Sequence, residues 1–236
     1  IGATCLNIYG ITEGFITSSA IRSSERIRFE TVGWPVHDLD EYKIMEPGTD
    51  REMPPGEVGE FCFRGPSSIR GYYKGGDINR TSFTPDGFFR TGDLMVSGEH
   101  DDSTRCCAFR GRIKDNIDRG GEKIGAEEVE ALIDHHPDVL DVKIVAMPDR
   151  VYGEKACAFL VLNPGAEPPT VKSLSKFLMD QGLAKYKLPE RIELIDAIPM
   201  THVGKADKQA LRHLIQRKIE SEAEALAMKA AAQRRP

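Results

Sequence analysis

The sequence predicts an α+β chain in two parts, a β-rich stretch over residues 1–114 and a compact α+β unit over 115–236. Three observations predict it. Before Lys114, short runs of strand-like composition alternate with Gly/Pro punctuation and show little helical periodicity. From Asp115 onward, amphipathic helical patterns alternate with half-buried strand patterns. At the junction, Gly111–Ile124 packs charges and adjacent glycines too densely for a core segment.

In the first part, strands are predicted at Glu41–Met45, Val58–Arg64 and Arg105–Arg110. Met53-Pro-Pro-Gly56, Gly65-Pro66 and Thr84-Pro-Asp-Gly87 separate them, and Trp34-Pro35 and Gly71–Gly76 read as further loops. In the second part, Glu127–His136 sets Val129, Leu132 and Ile133 on one helical face. Acids in its first turn suit a helix N-terminus, and Pro137 follows its end. Val139–Met147 and Lys155–Leu162 read as strands. Thr170–Gln181 is a second amphipathic helix, with Val171, Leu174, Phe177 and Leu178 inward and Gly182 as its stop. Arg191–Ile198 reads as a strand, and a last helix runs from Lys205 to about Gln233. Its Ala/Glu/Lys-rich end, Glu220–Pro236, reads as a solvated tail.

Composition narrows the function classes. A net charge of −5 over 236 residues offers no dominant basic face for nucleic acid. No apolar run approaches the roughly 20 residues of a membrane span, and no secretory pattern opens the sequence, so a cytoplasmic setting is expected. Five cysteines, odd in number and without metal-ligand spacing, read as reduced and idle thiols; the vicinal Cys106-Cys107 has no assigned role. The chain starts at Ile1 and enters an apolar–turn pattern within nine residues, which predicts an N-terminal portion preceding it.

Four segments carry chemistry. In Tyr9-Gly-Ile-Thr-Glu13-Gly14, an acid in a Gly-flanked turn is suited to hydrated Mg²⁺, which takes one or two carboxylates plus phosphate oxygens. On its own the hexapeptide is better described as an ordinary turn with a solvated acid. In Phe88-Phe-Arg-Thr-Gly-Asp93-Leu94, an aspartate after glycine can accept two hydrogen bonds from a vicinal diol, or can cap its own backbone. Within Gly111–Ile124, Arg112 offers a planar fork for ribose or phosphate oxygens, and Gly120-Gly121 lets a slender chain pass close to the backbone. Asp115 stands where the composition changes, the place for a hinge. A charged interdomain connector is the alternative, and the density of distinctive residues in the segment speaks against it. In Pro199-Met-Thr-His-Val-Gly204-Lys205, a lysine beyond a Gly hinge can reach a phosphoryl transition state, or simply sit in solvent.

In this order and spacing, the four segments resemble the adenylate-forming superfamily, which activates carboxylic acids as acyl-AMP. The resemblance runs from Leu6 to about Leu214. It is closest to the stand-alone aryl-acid ligases of siderophore assembly, which act on 2,3-dihydroxybenzoate or salicylate. Ile117-Asp-Arg-Gly-Gly-Glu-Lys-Ile124, Gly153-Glu-Lys-Ala-Cys-Ala-Phe159 and Leu183-Ala-Lys-Tyr-Lys-Leu-Pro-Glu-Arg191 suggest that branch. The resemblance implies that 1–114 is the C-terminal part of a large ATP- and acid-binding domain and 115–236 a small mobile lid. It implies ATP and Mg²⁺ as cofactors, with Glu13 on the metal, Thr12 near the phosphates and Tyr9-Gly10 near adenine. Asp93 and Arg112 would take the ribose. Lys205 would bridge the acid carboxylate and the α-phosphate, and Asp115 would be the pivot. Gly120, Gly121, Glu122 and Lys123 would line the path of a phosphopantetheine thiol from an aryl carrier protein. Coenzyme A is the alternative acceptor, and a carrier-binding module without catalysis is the alternative of another class. The family's Gly- and Ser/Thr-rich phosphate loop is absent, so this stretch alone is expected to be inactive or weak.

Overall fold

The computed structural model describes residues 2–98 and 106–233, with side chains through 229. The chain divides into two compact units between Lys114 and Asp115.

The first unit holds two antiparallel sheets. β1 (Ile8–Gly10), β2 (Ile16–Ser18) and β3 (Trp34–Pro35) form the smaller one, in that order. Trp34-Pro35, expected as loop, therefore pairs with Thr17 and Ser18. A proline is tolerated there because β3 is an edge strand, whose outward N–H needs no partner. Between β2 and β3 lies α1 (Glu25–Glu30), capped by Ser24. The larger sheet is a meander of β4 (Glu41–Met45), β5 (Val58–Arg64), β6 (Phe89–Ser97) and β7 (Cys107–Arg112). The sixth element of this kind was not expected as a strand, because Thr91-Gly92 reads as a break. The expected start of the last strand at Arg105 lies outside the described residues. α2 (Gly76–Thr81) follows the Gly71–Gly76 loop.

Alternate residues of β5 and β6 point to one core. Phe61, Phe63, Phe89 and Met95 meet Phe15, Val32, Ile44 and Cys107 there. Phe15 and Phe63 rings lie 4.7 Å apart and Phe63 and Phe89 5.5 Å apart, distances typical of favourable offset aromatic contacts.

The second unit opens with a hairpin of β8 (Asn116–Arg119) and β9 (Glu122–Gly125), in the segment whose charges and glycines read as foreign to a core. Its charges mask a period of two: Ile117 pairs with Ile124, and both are fully buried. α3 (Ala126–Ile133), β10 (Val139–Asp149), β11 (Gly153–Leu162), α4 (Val171–Asp180), β12 (Arg191–Leu194) and α5 (Lys208–Gln233) complete it. The sheet runs β10-β11-β8-β9, with β12 parallel to β11. Strand alternation feeds both faces. Ile144, Ala158 and Leu160 face Val129, Ile133, Leu174 and Leu178 of α3 and α4, while Val145, Cys157 and Phe159 face Leu211 and Ile215 of α5. α4 carries a capping box between Thr170 and Ser173. It ends as expected at Gly182, where Gly182 N donates to Met179 O and Leu183 N to Leu178 O. The last strand stops at Leu194, short of the expected Ile198, and the last helix starts at Lys208 rather than Lys205. Among the described residues, no helix is long and apolar enough to cross a membrane.

Candidate active site

Asp93 is delivered by an irregularity in the larger sheet. Glu60 pairs with Leu94 and Cys62 with Arg90, so Phe61 alone stands opposite Thr91, Gly92 and Asp93. Such a bulge re-aims a side chain that a regular ladder would fix. Gly92 takes a positive φ of 72° to make it. Asp93 is 4% exposed. Tyr9 Oη donates to its Oδ2 at 2.7 Å, and Arg112 Nε lies 3.1 Å from Oδ1. Arg112 is its cross-strand partner on β7. The Asp93 carboxylate thus takes side-chain partners from two other strands, while its backbone N–H donates to Thr91 Oγ1 at 3.0 Å.

The three groups make a compact acceptor site. Burial, then the adjacent Asp93 charge and the hydrogen bond to it, push the Tyr9 phenol well above the usual range, so Tyr9 remains a neutral donor. Arg112 keeps 39% of its side chain exposed and leaves guanidinium edge free to face solvent or a ligand. Gly10 pairs with Ile16 and is exposed, giving open backbone beside this cluster.

Thr12 and Glu13 lie on the turn between β1 and β2. Thr12 Oγ1 donates to Glu13 Oε2 at 3.2 Å, and Tyr72 Oη donates to Oε1 at 2.7 Å. Partial burial works to raise the Glu13 pKa, but the bonds from Tyr72, its own backbone N–H and Thr12 outweigh it and hold the carboxyl below its ordinary range. Tyr72 was not anticipated. An aromatic pair in a Gly-rich loop, Gly71-Tyr72-Tyr73, carries no sign of a partner 59 positions away. Its phenol is pushed up to about 12 by burial and by the bond to Glu13.

In the second unit, Gly120 and Gly121 form the turn of the first hairpin, with φ of 61° and 95°. Gly120 N donates to Tyr152 O at 2.8 Å, and Gly121 N to Asp118 Oδ1 at 2.8 Å. Glu122 and Lys123 follow on β9, exposed, with Lys123 Nζ 2.6 Å from Asp118 Oδ2. Lys205 is exposed on a tight turn that Thr201 closes from both sides, its Oγ1 accepting from Lys205 N and its N donating to Lys205 O. Asp115 is buried in a single 3-10 turn, and Arg212 of α5 reaches its Oδ1 at 2.8 Å.

A buried acid flanked by a phenol and a guanidinium on a strand bulge is a hydrogen-bonding cluster set in place by the sheet itself. Comparison with known proteins decides the family. The profile of the AMP-binding enzyme family matches residues 1–73, and that of the AMP-binding enzyme C-terminal domain matches 128–205. The chain belongs to the AMP-binding enzyme family.

Among relatives in this family, 2,3-dihydroxybenzoate-AMP ligase of Bacillus subtilis (strain 168) is 42% identical over 218 residues, covering 92% of this chain and 39% of the relative. Salicylyl-CoA synthase / salicylate adenylyltransferase of a Streptomyces species is 39% identical over 224 residues, covering 94% of this chain and 39% of the relative. Among solved structures, ATP-bound MatB from Rhodopseudomonas palustris superposes with a TM-score of 0.80 at 29% identity, covering 90% of this chain and 41% of that one. The chain thus spans about two fifths of the length of the family members it matches. The expected α+β fold class is the one the structure has, sheet-rich with few helices, and the likeness to solved structures supports it.

Proposed function

We propose that the protein containing this chain uses ATP to activate an aryl carboxylic acid of the 2,3-dihydroxybenzoate or salicylate type. The observation that carries the reading is the Tyr9–Asp93–Arg112 cluster. Asp93 accepts hydrogen bonds from the ribose diol, Arg112 adds a second contact to the ribose, and Tyr9-Gly10 borders the adenine. The names of the Bacillus and Streptomyces relatives support an aryl acid.

The donor set at Glu13 fits Mg²⁺. Its carboxylate is held ionised by its hydrogen bonds, and a hard cation prefers such oxygen donors together with phosphate oxygens. Glu13 would hold the ion beside the Thr12 hydroxyl, and charge offset on the phosphates is what the ion supplies when bound.

Two half-reactions follow. A carboxylate oxygen of the acid attacks the α-phosphorus, and the bond to the leaving pyrophosphate breaks. Lys205 neutralises charge at that centre as it builds, which lowers the barrier more than it aids binding. A phosphopantetheine thiol, deprotonated in the step, then attacks the acyl carbon and expels AMP. Residues 1–114 supply the nucleotide side of the site, and 115–236 act as a lid that turns about Asp115. Turning exchanges Lys205 for the Gly120–Lys123 hairpin. The acceptor thiol is that of an aryl carrier protein. Coenzyme A is the second reading, favoured by the name of the Streptomyces relative.

Acid-dependent ATP–pyrophosphate exchange on the complete gene product tests this, with 2,3-dihydroxybenzoate, salicylate, benzoate and a fatty acid as the panel. Exchange with a hydroxylated benzoate is expected. Exchange with the fatty acid alone would remove the aryl assignment, and none with any acid would favour a carrier-binding module.

A further inference from the structure

We propose that Glu60 is the positioning residue of the ribose site, setting where Asp93 stands although it does not itself face the nucleotide. The proposal rests on the reading of Asp93 as the diol acceptor. Glu60 lies on β5, one residue before Phe61, and is 5% exposed. Burying a carboxylate is costly unless both oxygens are satisfied. Its oxygens divide between two neighbours of Asp93. Oε2 accepts from Arg90 Nη1 at 2.9 Å, and Oε1 accepts from the backbone N–H of Gly92 at 3.2 Å.

Gly92 is the middle of the three residues that bulge opposite Phe61. A strand N–H lifted off the ladder loses its carbonyl partner, and a buried donor left alone destabilises the fold. Glu60 Oε1 stands in for that carbonyl. Thr91 anchors the same excursion from the other side: its Oγ1 donates to Phe61 O at 2.7 Å and accepts from Asp93 N at 3.0 Å. Arg90 is itself fixed by Asp50 Oδ1 and Thr49 O, both at 2.7 Å. Every residue from Arg90 to Asp93 is thus tied down before a ligand arrives, and the nucleotide meets an acid already placed between Tyr9 and Arg112.

The test is pyrophosphate exchange by the complete gene product with ATP, 2′-deoxy-ATP and 3′-deoxy-ATP. Glu60→Gln keeps the size but puts an NH₂ against either Arg90 or the Gly92 N–H, where only an acceptor fits. Loss of a charge-assisted bond of this kind predicts a KM for ATP raised on the order of tenfold, with the deoxy-nucleotides changed by less than about twofold. The preference for ribose over deoxyribose would collapse. Thr91→Val, which removes the second anchor without a change of shape, should do the same and decides the matter if Glu60→Gln does not fold. A simple loss of stability would move all three nucleotides together, and that result overturns the proposal. Asp93→Asn separates the two levels. If it abolishes the preference while Glu60→Gln and Thr91→Val retain it, the positioning role falls and the ribose site stands. If Asp93→Asn leaves the preference intact, the ribose site falls and takes the positioning role with it.

Discussion

At the scale of the residue, the two acids of the first unit are prepared in opposite ways. Asp93 is buried against a phenol and a guanidinium, whereas Glu13 sits on a turn and gains its low pKa from hydroxyl donors. Tyr72→Phe should therefore raise the Glu13 pKa toward the ordinary carboxylate range, because the lost bond favoured the charged form; carbon-13 NMR of the side chain reads it. The sign for stability follows. A depressed folded pKa gives a contribution that is present above the ordinary carboxylate range and lost as pH falls through the folded value, so Tyr72→Phe should lessen acid sensitivity. Under the two-step cycle, Lys205→Ala abolishes exchange yet spares thioester formation from supplied acyl-AMP. Equal loss of both would remove the assignment. Asp93, Arg112 and Lys205 were legible as candidates because each lies in one of the four segments whose order and spacing carry the resemblance. Tyr72 and Glu60 were not, because their importance lies in partners 59 and 32 positions away.

At the scale of the element, long regular patterns were legible and short or interrupted ones were not: Glu41–Met45 and Val58–Arg64 are strands with the expected bounds, while the six-residue α1 and α2 were not expected. α3 and α4 declare themselves by apolar spacing and acidic or hydroxyl starts. β6 hides behind Thr91-Gly92, a bulge that looks in one dimension like an end. β8 and β9 hide behind charge, since only Ile117 and Ile124 point inward. Beneath α3 lies a buried pair that the sequence does not announce. Glu130 Oε1 accepts from Ile144 N at 2.7 Å and lies 2.7 Å from Lys208 Nζ. The Lys208 ammonium and the Glu130 carboxylate form an ion pair, both side chains being largely buried. Removing one member of such a pair strands the other, so Lys208→Met should cost about 3 kcal/mol in urea unfolding. A loss under about 1 kcal/mol would show that the pair is solvated.

At the scale of the whole molecule, the division between Lys114 and Asp115 coincides with the change in composition seen in the sequence. Each unit has its own core, and thiols are spent inside both. Burial pushes Cys62, Cys107 and Cys157 up to about 12, and Cys106 is 1% exposed, while Cys5 is open. A native thiol titration should find one fast cysteine and four slow ones, and a second fast thiol would contradict the packing. The pairing of Asp115 with Arg212 reaches further. Arg212 is 31% exposed, so dissolved ions can compete for it. If Asp115 is the pivot, its stiffness is set by ionic strength as well as by shape. Added salt then becomes a dial on turnover: a cycle limited by domain turning should quicken as sodium chloride is raised, while one limited by bond making should not.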